Sequence, residues 1–398
     1  MVSTPNICPV CKKKHTPKDI KKCPLVAKMT LPKTKKLSDE FFGPSTSIFV
    51  GHAGYPKVNV GPMGIVEKDA FLDPTDWFGS DYATLLSNRA SLVRSKQKKD
   101  VYVNKSGEQF ISENQEIVLA KKPTDVELKF RKKPKYDFKF SNINSPLGPS
   151  ADIKKFKLAE NPSISRKVEY IATDELKATE SAQKFYDIGL DIYKITNVLS
   201  SGALGLDKNK KLVPTRWSIT AVDDMLGKYL IGRLKDYQSV NNFKVYESEY
   251  LGNHFVILLM PGKWEFENFE AWAPGSYWSF HLKESEILQE YEPFEGRTKY
   301  ADKQTGGYYA SRLGVVEGLD KMNRQARVVS FREVSEGYTI PVGVWQVREN
   351  VRNAFTEKPV EFNSLESALK YADSKLKLDV SDYTEQSRIL RQKRLNYY

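Results

Sequence analysis

Four side chains near the start of the chain have the types and spacing of a zinc site. Cys8 and Cys11 are separated by two residues, His15 follows Cys11 after three more, and Cys23 completes the set. A Cys-x2-Cys turn directs two thiolates at one tetrahedral ion, and Zn²⁺ prefers thiolate and imidazole ligands. Four protein ligands leave no open position, so the pattern predicts a structural zinc knuckle. Free thiols beside an incidental histidine are the alternative, but all three cysteines fall within 16 residues, which favours zinc.

A second cluster, in residues 200–224, has the composition of a phosphodiester-binding site. Gly202 and Gly205 allow close backbone approach, and the remaining residues supply positive charge, a stacking surface and paired carboxylates, namely Lys208, Lys210, Lys211, Arg216, Trp217, Asp223 and Asp224. Such a set suits DNA, and the two aspartates are weak candidates for a catalytic metal pair. The alternative is a solvated basic loop followed by aspartates that complement a helix N-terminus. Adjacent aspartates on a helix point about 100° apart, which disfavours a shared ion.

Elements of both types must position these residues. Glycine turns separate short strands at 48–50 and 57–60, and the alternation between Val101 and Val118 predicts a hairpin. A helix is predicted from a cap at Thr173 through apolar positions spaced three and four apart up to Leu199, with a stop at 200–202. Another is predicted to begin at Thr220, with Asp223 as its capping-box residue.

The second half of the chain predicts a sheet. Strands are expected at 243–250, 254–260 and 264–272, and a hairpin is expected from 327 to 347 around the turn at 335–337. A helix capped by Asn363, with Glu366 three residues on, should follow. The aromatic-rich region 264–309, with Trp264, Trp272, Trp278, Tyr308 and Tyr309, could stack bases, but core packing is the favoured interpretation. The whole predicts a mixed α/β (α+β) fold.

Charge and hydropathy exclude several classes of protein. The longest apolar run is Phe255–Met260, which is too short to cross a bilayer and predicts a protein of the cytoplasm without membrane partners. Of the net charge of +12, residues 1–36 carry +9 and residues 386–398 carry +4, so the rest of the chain is close to neutral. Clustered lysine and arginine favour a polyanionic partner. Positive charge is therefore concentrated in two terminal segments.

Several motifs occur along the chain, namely Cys8-Pro9-Val10-Cys11 with Cys23, Gly43-Pro44, Ile48–Gly51, Gly54–Val58, Gly61–Met63, Trp77–Gly79, Leu92–Arg94, Ser200–Gly205 and Lys211–Asp224. Taken together, these motifs resemble the archaeal Nre family of DNA repair proteins. The cysteines and lysines of 1–36 indicate a zinc-binding module and basic linker. The resemblance implies a large Nre N-terminal domain, taken as 37–280, a smaller Nre C-terminal domain, taken as 285–380, and a role in DNA damage repair. It also implies a basic tail at 386–398 that docks on the sliding clamp PCNA.

The C-terminus carries the residue types of such a clamp-binding motif. Gln392, Leu395, Tyr397 and Tyr398 supply the glutamine, the aliphatic residue and the aromatic pair, with one residue fewer before the aromatics than the motif has. A free chain end presents anchors that no domain buries, although a tail packed on its own domain is the alternative.

Three functions are compatible with the sequence. The favoured one is a DNA repair factor that binds DNA and is recruited through PCNA. The alternatives are a metal-dependent nuclease or other phosphodiester-processing repair enzyme, and an interaction scaffold without DNA contact. Whether the chain is an enzyme is left open.

Overall fold

The chain folds into two compact units. The computed structural model describes residues 37–67, 74–105, 108–136, 148–274, 276, 279 and 282–392. The division between the units falls inside one long helix, after Leu226. The predicted zinc knuckle, with Cys8, Cys11, His15 and Cys23, lies outside the described residues.

The first unit contains five strands and six helices among its described residues, the last helix running on across the division. The strands are β1 (Glu40–Val50), β2 (Lys57–Ile65), β3 (Leu92–Asp100), β4 (Thr124–Phe130) and β5 (Ser150–Leu158). The helices are α1 (Tyr82–Ala90), α2 (Glu108–Leu119), α3 (Arg166–Thr173), α4 (Ala178–Asp187), α5 (Ile192–Ser200) and α6 (Thr215–Leu234).

The five strands close into a barrel in the order β1-β2-β3-β5-β4. All neighbours are antiparallel except β3 and β5, which run parallel. β1 pairs with β4 through residues 40–45 and with β2 through residues 45–50, with an irregularity between Ser45 and Ile48. Such an irregularity bends a strand and lets one strand close a barrel.

Alternation of side chains along the strands fills the barrel. Ile48 and Val50 of β1, Val58 and Val60 of β2 and Val93 of β3 are buried. Because successive strand residues point to opposite faces, the residues between them face outward. Ile117 of α2 packs into the core formed by β3, β4 and β5.

Three predictions in this unit are wrong in detail. The predicted hairpin from Val101 to Val118 is instead the helix α2, whose Ile111, Asn114, Ile117 and Val118 are buried at helical spacing. The single helix predicted from Thr173 is interrupted at Gly189, where φ is +86°. Thr173 ends α3 and its hydroxyl donates to the carbonyl of Glu169.

The helix predicted from Thr220 begins earlier. α6 starts at Thr215, and the carbonyl of Pro214 accepts its first hydrogen bonds from the amides of Trp217 and Ser218. Asp223 therefore lies in the helix interior and is buried, rather than closing a capping box. Trp217 is placed in the first turn of α6.

The second unit is built on a six-stranded sheet. Its strands are β6 (Phe243–Tyr250), β7 (Asn253–Met260), β8 (Glu265–Trp272), β9 (Glu286–Glu292), β10 (Arg327–Val334) and β11 (Val360–Phe362). Its helices are α7 (Gly306–Met322), α8 (Trp345–Ala354), α9 (Leu365–Asp373), α10 (Val380–Gln386) and α11 (Arg388–Arg391). The strand order is β11-β6-β7-β10-β8-β9, and only β8 and β10 pair in parallel.

Helices cover both faces of this sheet, which explains its buried central strands. Every residue of β7, β8 and β10 is buried. On one face Phe269 and Phe331 pack against Tyr383 of α10 and Ile389 of α11. On the other face α7 contacts β8 and α8 contacts β6 and β7. α7 can lie close to α8 because residue 314 is glycine. A Cβ at Gly314 would lie 2.7 Å from the side chain of Val351.

The predicted strands at 243–250 and 254–260 are confirmed, and so is the core interpretation of Trp264, Trp272, Tyr308 and Tyr309. The hairpin predicted from 327 to 347 is wrong, because β10 already has β7 and β8 on its two sides and no edge is left for a partner. Residues 345–354 form α8 instead. The helix predicted after Asn363 is capped by Ser364, whose hydroxyl accepts from the amide of Ser367.

Candidate nucleic-acid interface

Two exposed aromatic rings meet at one end of the barrel. Tyr55, in the loop between β1 and β2, and Trp217, in the first turn of α6, have ring centroids 5.4 Å apart with planes inclined by 52°. Tyr55 is 49% exposed and Trp217 is 47% exposed. Single exposed aromatic residues are common, but two exposed rings in contact form a continuous apolar surface of the kind that ligands cover.

Hydrogen bonds between distant parts of the sequence create this pair. The hydroxyl of Thr215 accepts from the amide of Val50 at 3.0 Å, which ties the start of α6 to the end of β1. The hydroxyl of Ser200 donates to the carbonyl of Val213 at 2.7 Å and fixes the segment that leads into the helix. Trp217 is thereby held beside the β1–β2 loop.

The basic loop predicted from the sequence lies at the same end of the barrel. The amide of Leu212 donates to the carbonyl of Val101 at 2.8 Å, and the amide of Val101 donates to the carbonyl of Pro56 at 2.8 Å. Gly202 permits this arrangement, since a Cβ there would lie 2.9 Å from the backbone of Lys211. The loop therefore joins the β1–β2 loop through the end of β3.

A third exposed ring, Tyr102, is flanked by lysines. The Nζ atoms of Lys211 and Lys105 lie 4.6 and 5.1 Å from the centre of this ring. Cations over an aromatic face are held by its quadrupole. We call the set Tyr55, Tyr102, Lys105, Lys211 and Trp217 the aromatic–basic end of the barrel.

Of the other predicted DNA-contacting residues, some have exposed cationic groups and one is paired with a carboxylate. Lys208 and Arg216 are exposed. Lys210 pairs with Asp207 at 2.8 Å, and this hydrogen bond and charge lower the pKa of Asp207 despite a small opposing effect of burial. The structure thus brings Lys208, Lys210, Lys211, Arg216 and Trp217 into one region, with one lysine partly neutralised.

The carboxylate pair has a different environment. Asp223 is buried and Asp224 is half-buried, both inside α6. Within the described ranges, no group of three or more histidine, cysteine, aspartate and glutamate side chains is placed to hold a metal ion. Asp223 and Asp224 therefore have no third acidic or histidine ligand among these residues.

The clamp-docking residues lie at the edge of the described chain. Gln392 follows α11, whose Ile389 is buried in the second unit's core. Leu395, Tyr397 and Tyr398 lie outside the described residues. The anchored segment therefore reaches Arg391, directly before the predicted docking residues.

Sequence reasoning missed several contributors to this region. Tyr55 and Tyr102 gave no local signal, because an exposed tyrosine in a loop has no periodicity that separates it from a core residue. Lys98 and Lys105 were also missed. The alternation of lysines on β3 could have revealed Lys96 and Lys98, since Val93 and Ser95 occupy the opposite, buried face.

Comparison with known proteins places the chain in a family. The sequence model described as "Archaeal Nre, N-terminal" matches residues 19–279, and that described as "Archaeal Nre, C-terminal" matches residues 292–397. The chain belongs to the archaeal Nre family.

Curated relatives span most of the chain. The DNA repair protein NreA of Haloferax volcanii is 38% identical over 87% of this chain and 85% of its own length. NreA and NreB of Archaeoglobus fulgidus, also named DNA repair proteins, are 36% and 35% identical over 89% and 94% of this chain, and over 90% and 94% of their own lengths. No solved structure matches significantly. Among the described residues, no helix is both long and apolar enough to cross a membrane.

Proposed function

We propose that this protein is a DNA repair factor that binds DNA and is brought to its site of action by the sliding clamp PCNA. Membership in the Nre family and the names of the curated relatives support the repair role. The observation that carries DNA binding is the aromatic–basic end of the barrel, where exposed rings lie among lysines. Because the proposed substrate is chromosomal DNA, we propose that the protein acts in the cytoplasm of an archaeal cell.

Phosphate contacts are the first part of this proposal. Lys208, in the loop that leads to α6, and Arg216, in the first turn of α6, are exposed, so their cationic groups are open to a polyanion. Each lysine or arginine that neutralises a phosphate releases condensed counterions, so the affinity falls as salt rises. The logarithm of the affinity falls linearly with the logarithm of the salt concentration, and the slope is proportional to the number of phosphate contacts.

A salt titration tests DNA binding. Fluorescence anisotropy with labelled duplex and single-stranded DNA should give an affinity that falls with salt for at least one of them. Lys208→Ala/Arg216→Ala should reduce the slope by about 1 for each contact removed. Absence of salt-dependent binding to both probes would contradict the proposal and favour the scaffold alternative.

Recruitment by PCNA is the second part. The last residues of the sequence include Gln392, Leu395, Tyr397 and Tyr398, while Ile389 is buried in the second unit's core and Leu390 packs against that core. A truncation after Arg391 removes the motif without removing a buried side chain of α11. Clamp pull-down should capture the full-length protein and lose the truncated one. Equal capture of both would refute the docking role.

A structural zinc ion in the N-terminal segment is the third part. Cys8, Cys11, His15 and Cys23 fit a closed tetrahedral site by ligand type and spacing. Elemental analysis of purified protein should find one zinc per chain, and Cys8→Ser/Cys11→Ser should lose it. A protein purified without chelators that contains no zinc would refute this part.

A further inference from the structure

We propose that the outer face of strands β1, β2 and β3, together with Tyr55 and Trp217, binds single-stranded DNA. This inference rests on the proposed DNA binding and narrows it to one class of substrate. It is carried by the topology of the barrel, by the side chains on one outer face and by the exposed rings at its end.

The topology is that of an oligonucleotide- and oligosaccharide-binding barrel. Such barrels have five strands in the order β1-β2-β3-β5-β4, and their ligands cross the β2–β3 face next to the β1–β2 and β4–β5 loops. The barrel here has this order, the parallel β3–β5 pair, a bent β1 shared between β2 and β4, and a helix (α2) between β3 and β4. The inserted helix α1 between β2 and β3 is an addition. A fold is not a function, so the residues on the face must carry the argument.

The outer face of these strands carries basic and apolar side chains in adjacent rows. Arg94, Lys96 and Lys98 alternate with the buried Val93 and Ser95 along β3, and strand pairing places Arg94 opposite Met63 and Phe49 opposite Gly61. The guanidinium carbon of Arg94 lies 4.9 Å from the centre of the Phe49 ring. Gly61 permits the close approach of β3, since a Cβ there would lie 2.7 Å from the backbone oxygen of Ser95.

The face continues toward the aromatic–basic end. Lys98 lies opposite Asn59, and Lys57 lies opposite Asp100, the acidic residue at this end of β3. Lys57 and Lys98 are exposed. A row of cations on the outside of β2 and β3 therefore leads from Arg94 to the β1–β2 loop, a path that suits a phosphate backbone.

The exposed rings favour single-stranded DNA over duplex DNA. Bases in a duplex are stacked on each other and offer a protein only their edges, whereas unpaired bases offer their faces to aromatic side chains. Tyr55 and Trp217 are inclined by 52°, so each presents a separate surface. Ring surfaces beside a lysine path are the combination that sequence-tolerant single-strand binders use.

The face formed by β4 and β5 provides control residues for the face formed by β1, β2 and β3. There Lys129 pairs with Glu40 at 2.7 Å and Lys157 pairs with Glu127 at 3.0 Å, so part of its positive charge is compensated. Lys154 and Lys155 of β5 are exposed lysines on this side. They provide a control of matched charge, and Tyr170 of α3, which is 66% exposed, provides a matched aromatic control.

The test compares two probes of the same length. The full chain is titrated by fluorescence anisotropy against labelled oligo(dT) of about 16 nucleotides, the upper range for one such barrel, and against a duplex of equal length. We expect tighter binding to oligo(dT). Trp217→Ala should weaken it by about 5- to 150-fold, because each stacked base contributes about 1–3 kcal/mol. Lys96→Ala/Lys98→Ala should reduce the salt slope by about 0.7 per contact.

The controls separate this inference from the broader proposal. Tyr170→Ala and Lys154→Ala/Lys155→Ala should leave oligo(dT) affinity unchanged, and thermal melting of each variant establishes that it is folded. Salt-dependent binding with no preference for oligo(dT), or with no effect of Trp217→Ala and Tyr55→Ala, would overturn the single-strand inference while DNA binding stands. Failure to bind either probe would overturn both.

Discussion

The rings of Tyr55 and Trp217 lie 5.4 Å apart, although 161 residues separate them in the sequence. Neither ring is buried, so their pairing does not arise from packing in a core. It follows from the hydrogen bond between the amide of Val50 and the hydroxyl of Thr215, which brings α6 to the β1–β2 loop. A barrel loop and a helix start thus form one surface.

Quenching of tryptophan fluorescence should report on this surface. Trp217 is exposed, whereas Trp77, Trp264, Trp272 and Trp345 are buried. Because the exposed Arg216 precedes Trp217 and two lysines flank Tyr102 at the same end of the barrel, iodide should quench Trp217 more strongly than caesium does. Trp278 lies outside the described residues. Trp217→Phe should reduce the iodide-quenched fraction of the fluorescence, and saturating oligo(dT) should reduce that fraction in the wild-type protein. Equal quenching by both ions, or unchanged quenching in Trp217→Phe, would count against a cationic surface there.

The sequence predicted the apolar strands of both units more reliably than the helices. β7 is a continuous apolar run because both faces of its sheet are covered, and that pattern is visible in the sequence. α2 was mistaken for a hairpin because Val101 and Val103 alternate just before it. The buried spacing of Ile111, Asn114 and Val118 is helical, and it was obscured by the polar residues between them.

The closure of the barrel could not be predicted from local patterns. It depends on the pairing of β1 with both β2 and β4 and on the parallel contact of β3 with β5. Those contacts join residues far apart in sequence, and periodicity does not encode partners. The basic and aromatic residues at 208–217 were identified from their types, whereas their neighbours Tyr55 and Tyr102 required the fold.

Glu267 anchors the C-terminal segment, and its replacement should destabilise the second unit. Its buried carboxylate accepts hydrogen bonds from the hydroxyl of Ser387 and from the amides of Arg388 and Ile389, the last two at 2.8 and 3.2 Å. Glu267→Ala leaves buried donors without this acceptor, at about 1–3 kcal/mol for each group. Urea unfolding should show the loss. Truncation after Arg391, which keeps these contacts, should leave the unfolding free energy nearly unchanged.

His254 should give the second unit a pH-dependent stability. Burial lowers the pKa of His254, but hydrogen bonds with Glu333 and Glu247 and the nearby charge of Glu249 outweigh it, so the pKa is raised above 6.5. A raised pKa in the folded state contributes stability fully below about pH 6.5, and this contribution is lost as the pH rises through the folded-state pKa. The difference in unfolding free energy between wild type and His254→Gln should therefore be larger at pH 6 than at pH 9. A difference that does not change with pH would mean that the pKa of His254 is the same in the folded and unfolded states, which would contradict the raised pKa.

Arg312 and Glu292 form a buried ion pair, and removing Arg312 alone should destabilise the protein much more than removing both charges together. Nη1 of Arg312 lies 2.7 Å from Oε2 of Glu292, and the two side chains are 0% and 1% exposed. The hydroxyl of Tyr308 donates to the same carboxylate at 2.7 Å. Arg312→Met leaves a buried carboxylate without its cation and should cost about 3–5 kcal/mol.

The double replacement isolates the cause of that loss. Arg312→Met/Glu292→Gln keeps an acceptor for Tyr308 and removes both charges, so it should recover most of the stability lost in Arg312→Met. Lys157→Ala, which breaks a pair of about half-exposed side chains at 3.0 Å, should change the unfolding free energy by less than about 1 kcal/mol. Urea unfolding of the four proteins measures these differences. A double variant no more stable than Arg312→Met would mean that packing of the arginine stem, rather than the uncompensated carboxylate, determines the loss.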